Sequence, residues 1–153
     1  MSILATIALV GQAVGQAAVL PATDTITFEM IVGNSLSGWE LASDGRGSFF
    51  DKDRVTGKPD PTKAQSFAGP ADNFAFASSQ LAAYRALASA GAGCAPARDE
   101  IFGFRLRWVE KGKPFTATFT DSCGGIPDNF DLVIAPVGKR LDVLLPPPSA
   151  PPR

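Results

Sequence analysis

The residues able to do chemistry in this chain are carboxylates, basic side chains and two cysteines, because it contains no histidine. That absence removes Ser-His-Asp and Cys-His catalysis, histidine-based zinc sites and the ordinary imidazole pH switch. Catalysis would then fall to paired carboxylates, and Glu29, Glu40, Asp99, Glu100 and Glu110 are the candidates. Their spacing singles out no two of them. Glu29 and Glu40 fall on the polar side of alternating segments and Asp99-Glu100 falls in a loop, so all five read as solvated surface groups. No serine stands in a Gly-x-Ser-x-Gly elbow. Gly112-Lys113 lacks the earlier glycine of a phosphate loop, and Gly45-x-Gly47 lacks the third glycine of a dinucleotide fingerprint. The sequence therefore implies no cofactor.

Two further groupings bear on binding. Asp51-x-Asp53, with Gly57 and Asp60 beyond, resembles the start of a calcium loop. Val55 stands where an oxygen ligand is required, Thr56 where glycine is, and Lys52, Arg54 and Lys58 would repel the ion, so no metal site is expected. Arg105 and Arg107 share one face of a strand, and with Lys113 they form a candidate anion-binding face. Lys111, Lys139 and Arg140 join it if the last helix packs beside them. The chain balances 14 Lys and Arg against 15 Asp and Glu, which excludes the concentrated positive charge of a nucleic-acid binder.

Periodicity predicts the elements that position these groups. Ile26, Phe28, Met30 and Val32 alternate with Thr27 and Glu29 as a half-buried strand. A second strand is expected near 39–43, followed by an Asp44-Gly45 turn into Ser48-Phe49-Phe50. Residues 51–61 read as a polar, proline-broken loop. The alanine-rich segment 79–90 is a helix with Leu81, Tyr84, Leu87 and Ala88 on its buried stripe. Phe102, Phe104, Leu106 and Trp108 then pair across a Lys111-Gly112 turn with Phe115, Ala117 and Phe119, leaving an arginine and threonine face in water. Phe130, Val133, Ile134, Val137, Leu141 and Leu144 recur as on a helix that Pro136 should kink or split. The fold class expected is α+β: a small antiparallel sheet of about five strands packed by one or two helices, with one disulfide.

The chain has 153 residues, of which 45% are hydrophobic, enough for one core. Its first charged residue is Asp24. The apolar run 3–10 followed by Ala13, Gly15, Ala17, Ala18 and Ala22 has the form of a secretory leader, although Met1-Ser2 brings no basic side chain. Cleavage is expected after Ala17 or Ala22. The organisation is then a signal peptide at 1–22, one domain at 23–143 and a proline-rich tail at 144–153. No integral span is expected in the mature chain. Export to the periplasm or medium makes a Cys94–Cys123 disulfide the default, with a stabilisation of about 3 to 4 kcal/mol.

Between these cysteines the order is Cys94, Trp108, Gly112-Lys113, Phe119 and Cys123. This stretch, and it alone, resembles the second half of the bacterial subtilisin-inhibitor proteins, whose second cysteine pair has no counterpart here. The resemblance implies a protease-binding loop at Cys94, Ala95, Pro96, Ala97, Arg98 and Asp99, held rigid by the disulfide. The residues by themselves imply a non-enzymatic binding or accessory module, with another extracytoplasmic protein as its partner. A protease inhibitor and, more remotely, a carboxylate-based hydrolase are the alternatives.

Overall fold

A computed structural model describes residues 23–89, 94 and 100–145. The leader, the 95–99 loop and the prolines from 146 onward lie outside them. The chain is an α+β domain built on one six-stranded antiparallel sheet. Its strands are β1 Thr25–Val32, β2 Ser35–Ala42, β3 Arg46–Asp53, β4 Gln65–Ala68, β5 Phe102–Glu110 and β6 Lys113–Thr120, and they run across the sheet in the order β4-β3-β2-β1-β5-β6. The helices are α1 Asp72–Gln80, α2 Ala82–Ser89 and α3 Phe130–Asp142. Among the described residues no helix is long and apolar enough to cross a membrane.

Registers explain where the core lies. Residues directly opposite in antiparallel strands share a face, so Ile26 meets Leu41 and Trp108, Phe28 meets Trp39 and Leu106, and Phe104 meets Phe119. This apolar face takes the helices. Phe130, the first residue of α3, is 1% exposed. Its ring lies 4.6 Å from that of Phe104, 5.1 Å from that of Tyr84 and 5.5 Å from that of Phe119. The Tyr84 hydroxyl donates to Asn129 at 3.2 Å, which fixes the entry of α3 against α2. Arg140 donates to Asn73 and Asp72, which clamps α3 to α1.

Several local expectations change. The helix expected at 79–90 is α2, and a further helix, α1, precedes it; Leu87 is 49% exposed instead of lying on the stripe with Leu81, Tyr84 and Ala88. A sixth strand, β4, follows the polar loop. Residues 51–53 belong to β3, which the pairings Leu36 with Lys52 and Ser35 with Asp53 hold in register. Pro136 neither splits nor ends α3. It lies on the exposed side of the helix with Leu132, whose carbonyl loses its helical partner, so water can replace the missing donor. The core also reaches Leu144 and Leu145, which pack against it at the start of the segment read as tail.

Because Phe130 joins sheet and helices at one point, Phe130→Ala should cost about 3 to 5 kcal/mol. Urea unfolding of the disulfide-bonded protein measures this.

Candidate functional site

The second face of the sheet carries the groups with chemical potential. Thr27, Glu29 and Ile31 of β1 share it with Leu36, Gly38 and Glu40 of β2, Ser48, Phe50 and Lys52 of β3, Arg105 and Arg107 of β5, and Thr116, Thr118 and Thr120 of β6. This face was expected to be wet. Instead Glu29 and Thr120 are fully buried, Thr118 is 5% exposed and Thr27 is 9% exposed.

Glu29 is the centre of the arrangement. One carboxylate oxygen accepts the Lys52 ammonium at 2.7 Å, and the other accepts the Nε of Arg105. The three side chains thus join β3, β1 and β5. Gly38, directly between Glu29 and Phe50, leaves an opening over which Lys52 crosses β2. A Cβ at Gly38 would stand 1.9 Å from the Phe28 carbonyl oxygen, so the strand spacing itself requires glycine there. Burial pushes the Glu29 carboxyl toward its neutral form, but the hydrogen bonds and charges of Arg105 and Lys52 outweigh it and hold the pKa below the usual range.

This arrangement decides what the carboxylates can do. Glu29 and Glu40 are diagonal neighbours on adjacent strands, close enough to be weighed as a catalytic acid pair. A general acid needs a raised pKa and access to substrate. Glu29 has neither, and Glu40 accepts the Thr27 hydroxyl at 3.3 Å. Glu110 is held by a bidentate Arg85 at 2.6 Å for both contacts, and Arg85 also stacks over Phe115. The Glu100 carboxylate accepts the Ser122 amide and hydroxyl at 3.2 and 2.7 Å, and the Arg54 guanidinium donates to the Glu100 carbonyl. Asp99 lies outside the described residues.

The acidic loop is likewise occupied by its own contacts. Asp53 accepts the Val55 and Thr56 amides and the Thr56 hydroxyl, Asp60 accepts from Thr62, and Asp51 accepts from Ser35 and Lys63. Each carboxylate closes a turn or an ion pair, so the three do not converge on a metal position. A shallow open depression of about 600 Å³ runs between this loop and the ends of β1 and β2. Among the described residues no three acidic or cysteine side chains form a metal-binding group.

Of the basic candidates, Arg105 and Arg107 stand together on the polar face. Lys113 does not join them: it pairs with Glu110, two positions from the inward-facing Phe115 and Trp108, and falls on the helix side. Arg140 is on α3 and is taken up by Asp72 and Asn73. Lys139 shares that helix, and Lys111 sits in the hairpin turn with its amide donating to Asp24.

Cys94 and Cys123 are bonded, with Cα atoms 5.7 Å apart. Cys123 ends a short 3-10 turn directly after β6, next to the Ser122 that holds Glu100. The staple therefore meets the sheet where the Arg54 contact also lands. Ala95, Pro96, Ala97, Arg98 and Asp99 lie outside the described residues. At the exit of that loop Ile101 is 75% exposed, and Phe102 and Val32, paired across β5 and β1, are 47% and 50% exposed. Sequence reasoning missed Lys52 and the burial of Glu29. The available signal was an acid in mid-strand opposite Arg105.

Because the folded pKa of Glu29 is depressed, its contribution is fully present above the ordinary glutamate value of about 4.3 and is lost as pH falls through the lower folded value. Glu29→Gln should cost about 3 kcal/mol at pH 7, since it leaves two cations without their partner. It should also flatten the decline of stability as pH falls below the ordinary glutamate value of about 4.3, whereas Glu40→Gln should change stability by less than about 0.5 kcal/mol. Urea midpoints across pH for the three proteins measure both effects.

No protein-family model matches the chain, and neither a curated sequence nor a solved structure matches it significantly.

Proposed function

We propose that this chain is an exported, non-enzymatic binding module that works in the periplasm or outside the cell, with another extracytoplasmic protein as its partner. The observation that carries this reading is the Cys94–Cys123 disulfide, a bond that persists in oxidising compartments. The uncharged stretch before Asp24 supports it. The state of the carboxylates favours binding over hydrolysis, because Glu29 and Glu110 are each neutralised by basic partners and Glu100 is tied to Ser122.

One observation favours a more specific second reading, protease inhibition through residues 94–99. The disulfide fixes the start of that segment, and exposed Ile101 and Phe102 follow its end, so an apolar contact surface adjoins it. A loop anchored in this way binds with less loss of conformational freedom.

N-terminal sequencing and thiol titration of the protein from its native host test the principal reading. The expected result is a chain beginning after residue 17 or 22 with no free thiol. An intact Met1 on cytoplasmic protein with two free thiols would overturn it. Stoichiometric incubation with subtilisin-like and trypsin-like proteases tests the second reading, and undiminished protease activity removes it.

A further inference from the structure

We infer that the block formed by Arg105, Arg107, Thr116 and Thr118 is a binding site for a compact oxyanion, a carboxylate or a phosphate. This deepens the binding-module reading by naming a ligand chemistry for its polar face. The two arginines are alternate residues of β5, so their Cα atoms are about 6.8 Å apart on one side of the sheet. Thr118 stands directly opposite Arg105, and Thr116 directly opposite Arg107. The four side chains make a two-by-two patch on a single face.

Three observations give the patch its direction. Arg105 is pinned to Glu29 through Nε alone, which leaves its terminal nitrogens without an acceptor among the described residues. Arg107 is exposed and, among the described residues, makes no hydrogen bond or ion pair. Thr118 is 5% exposed, and its buried hydroxyl has no hydrogen-bond partner among the described residues. An orphaned buried hydroxyl is destabilising and uncommon in a folded protein. An oxyanion seated between the guanidinium groups gives both arginines an acceptor, in the charge-assisted geometry these groups favour, and, once the side chains over Thr118 part to admit it, gives that buried hydroxyl the acceptor it lacks.

The charges facing this patch support the same sign. Glu29 is the nearest carboxylate and is already shared between Lys52 and Arg105. Glu40 lies beyond Thr27, whose hydroxyl it accepts. With Lys52, Arg105 and Arg107 set against these two acids, the face keeps a positive excess on a chain whose net charge is −1.

The test is titration of the full-length, disulfide-bonded protein with inorganic phosphate and, separately, with acetate, against sodium chloride at matched ionic strength. Amide shifts and thermal midpoint are the readouts. Wild type should bind one or both anions with saturable shifts at 105, 107, 116 and 118. Binding of phosphate alone assigns a phosphate ligand, and binding of acetate assigns a carboxylate. Arg107→Gln should weaken the dissociation constant at least tenfold and Thr118→Val about threefold or more. Thr118→Val should also unfold at higher urea than wild type when no anion is present, which separates a lost ligand contact from a damaged fold. Anion responses no larger than those to chloride, or variants that bind like wild type, would overturn the assignment. Neither result bears on export, which N-terminal sequencing decides separately.

Discussion

A carboxylate buried at the middle of a sheet is stable only if its charge is met on the spot, and Glu29 imposes that condition on its surroundings. Two cations must reach it from different strands, so β3 has to continue through Lys52 and β5 has to bring Arg105 into register. The residue between Glu29 and Phe50 has to be glycine, since the strands approach too closely there for a Cβ. Desolvation makes such a cluster costly to assemble and more costly to break. Its effect is to specify one strand order and one register on the face against which none of the described helices packs.

The opposite face obtains its specificity from shape. Phe28, Phe104, Phe119, Tyr84 and Phe130 form a connected set of ring contacts, and Phe130 touches each of the other four. One helix terminus thus records the positions of β1, β5, β6 and α2. The disulfide acts at a third place, the exit of β6, where Ser122, Glu100 and Arg54 already connect the ends of three strands. The loop closed by the cysteines consequently begins and ends on fixed structure.

Alternation in 25–32 and 102–120 made the faces of β1, β5 and β6 legible, and with them most of the aromatic core. What alternation cannot report is what covers the second face, so Glu29, Thr118 and Thr120 read as wet although all three are buried. Lys52 was hidden for a related reason. The run from Asp51 to Pro61 is dense in charge and proline, and only pairing with β2 reveals that its first three residues are strand. Helix α1 escaped because its nine residues alternate alanine with aromatic and polar positions too briefly to show a period. Pro136 misled in the other direction: a proline rule written for buried helix interiors fails where the freed carbonyl lies on an exposed side. Of the candidate site, the shared face of Arg105 and Arg107 was readable, whereas the helix-side position of Lys113 required the register of the hairpin.

The two outermost strands differ from the interior ones in a way that bears on solubility. β4 has only four residues, and β6 opens with Lys113-Pro114, a charge followed by a residue that cannot donate to a neighbouring backbone, while α2 packs along it. Short length, charge and proline are the means by which sheets avoid recruiting a further strand from another molecule. A chain that must fold among many copies of itself is guarded at both borders of its six described strands, by the shortness of β4 and by Lys113, Pro114 and the packing of α2 at β6.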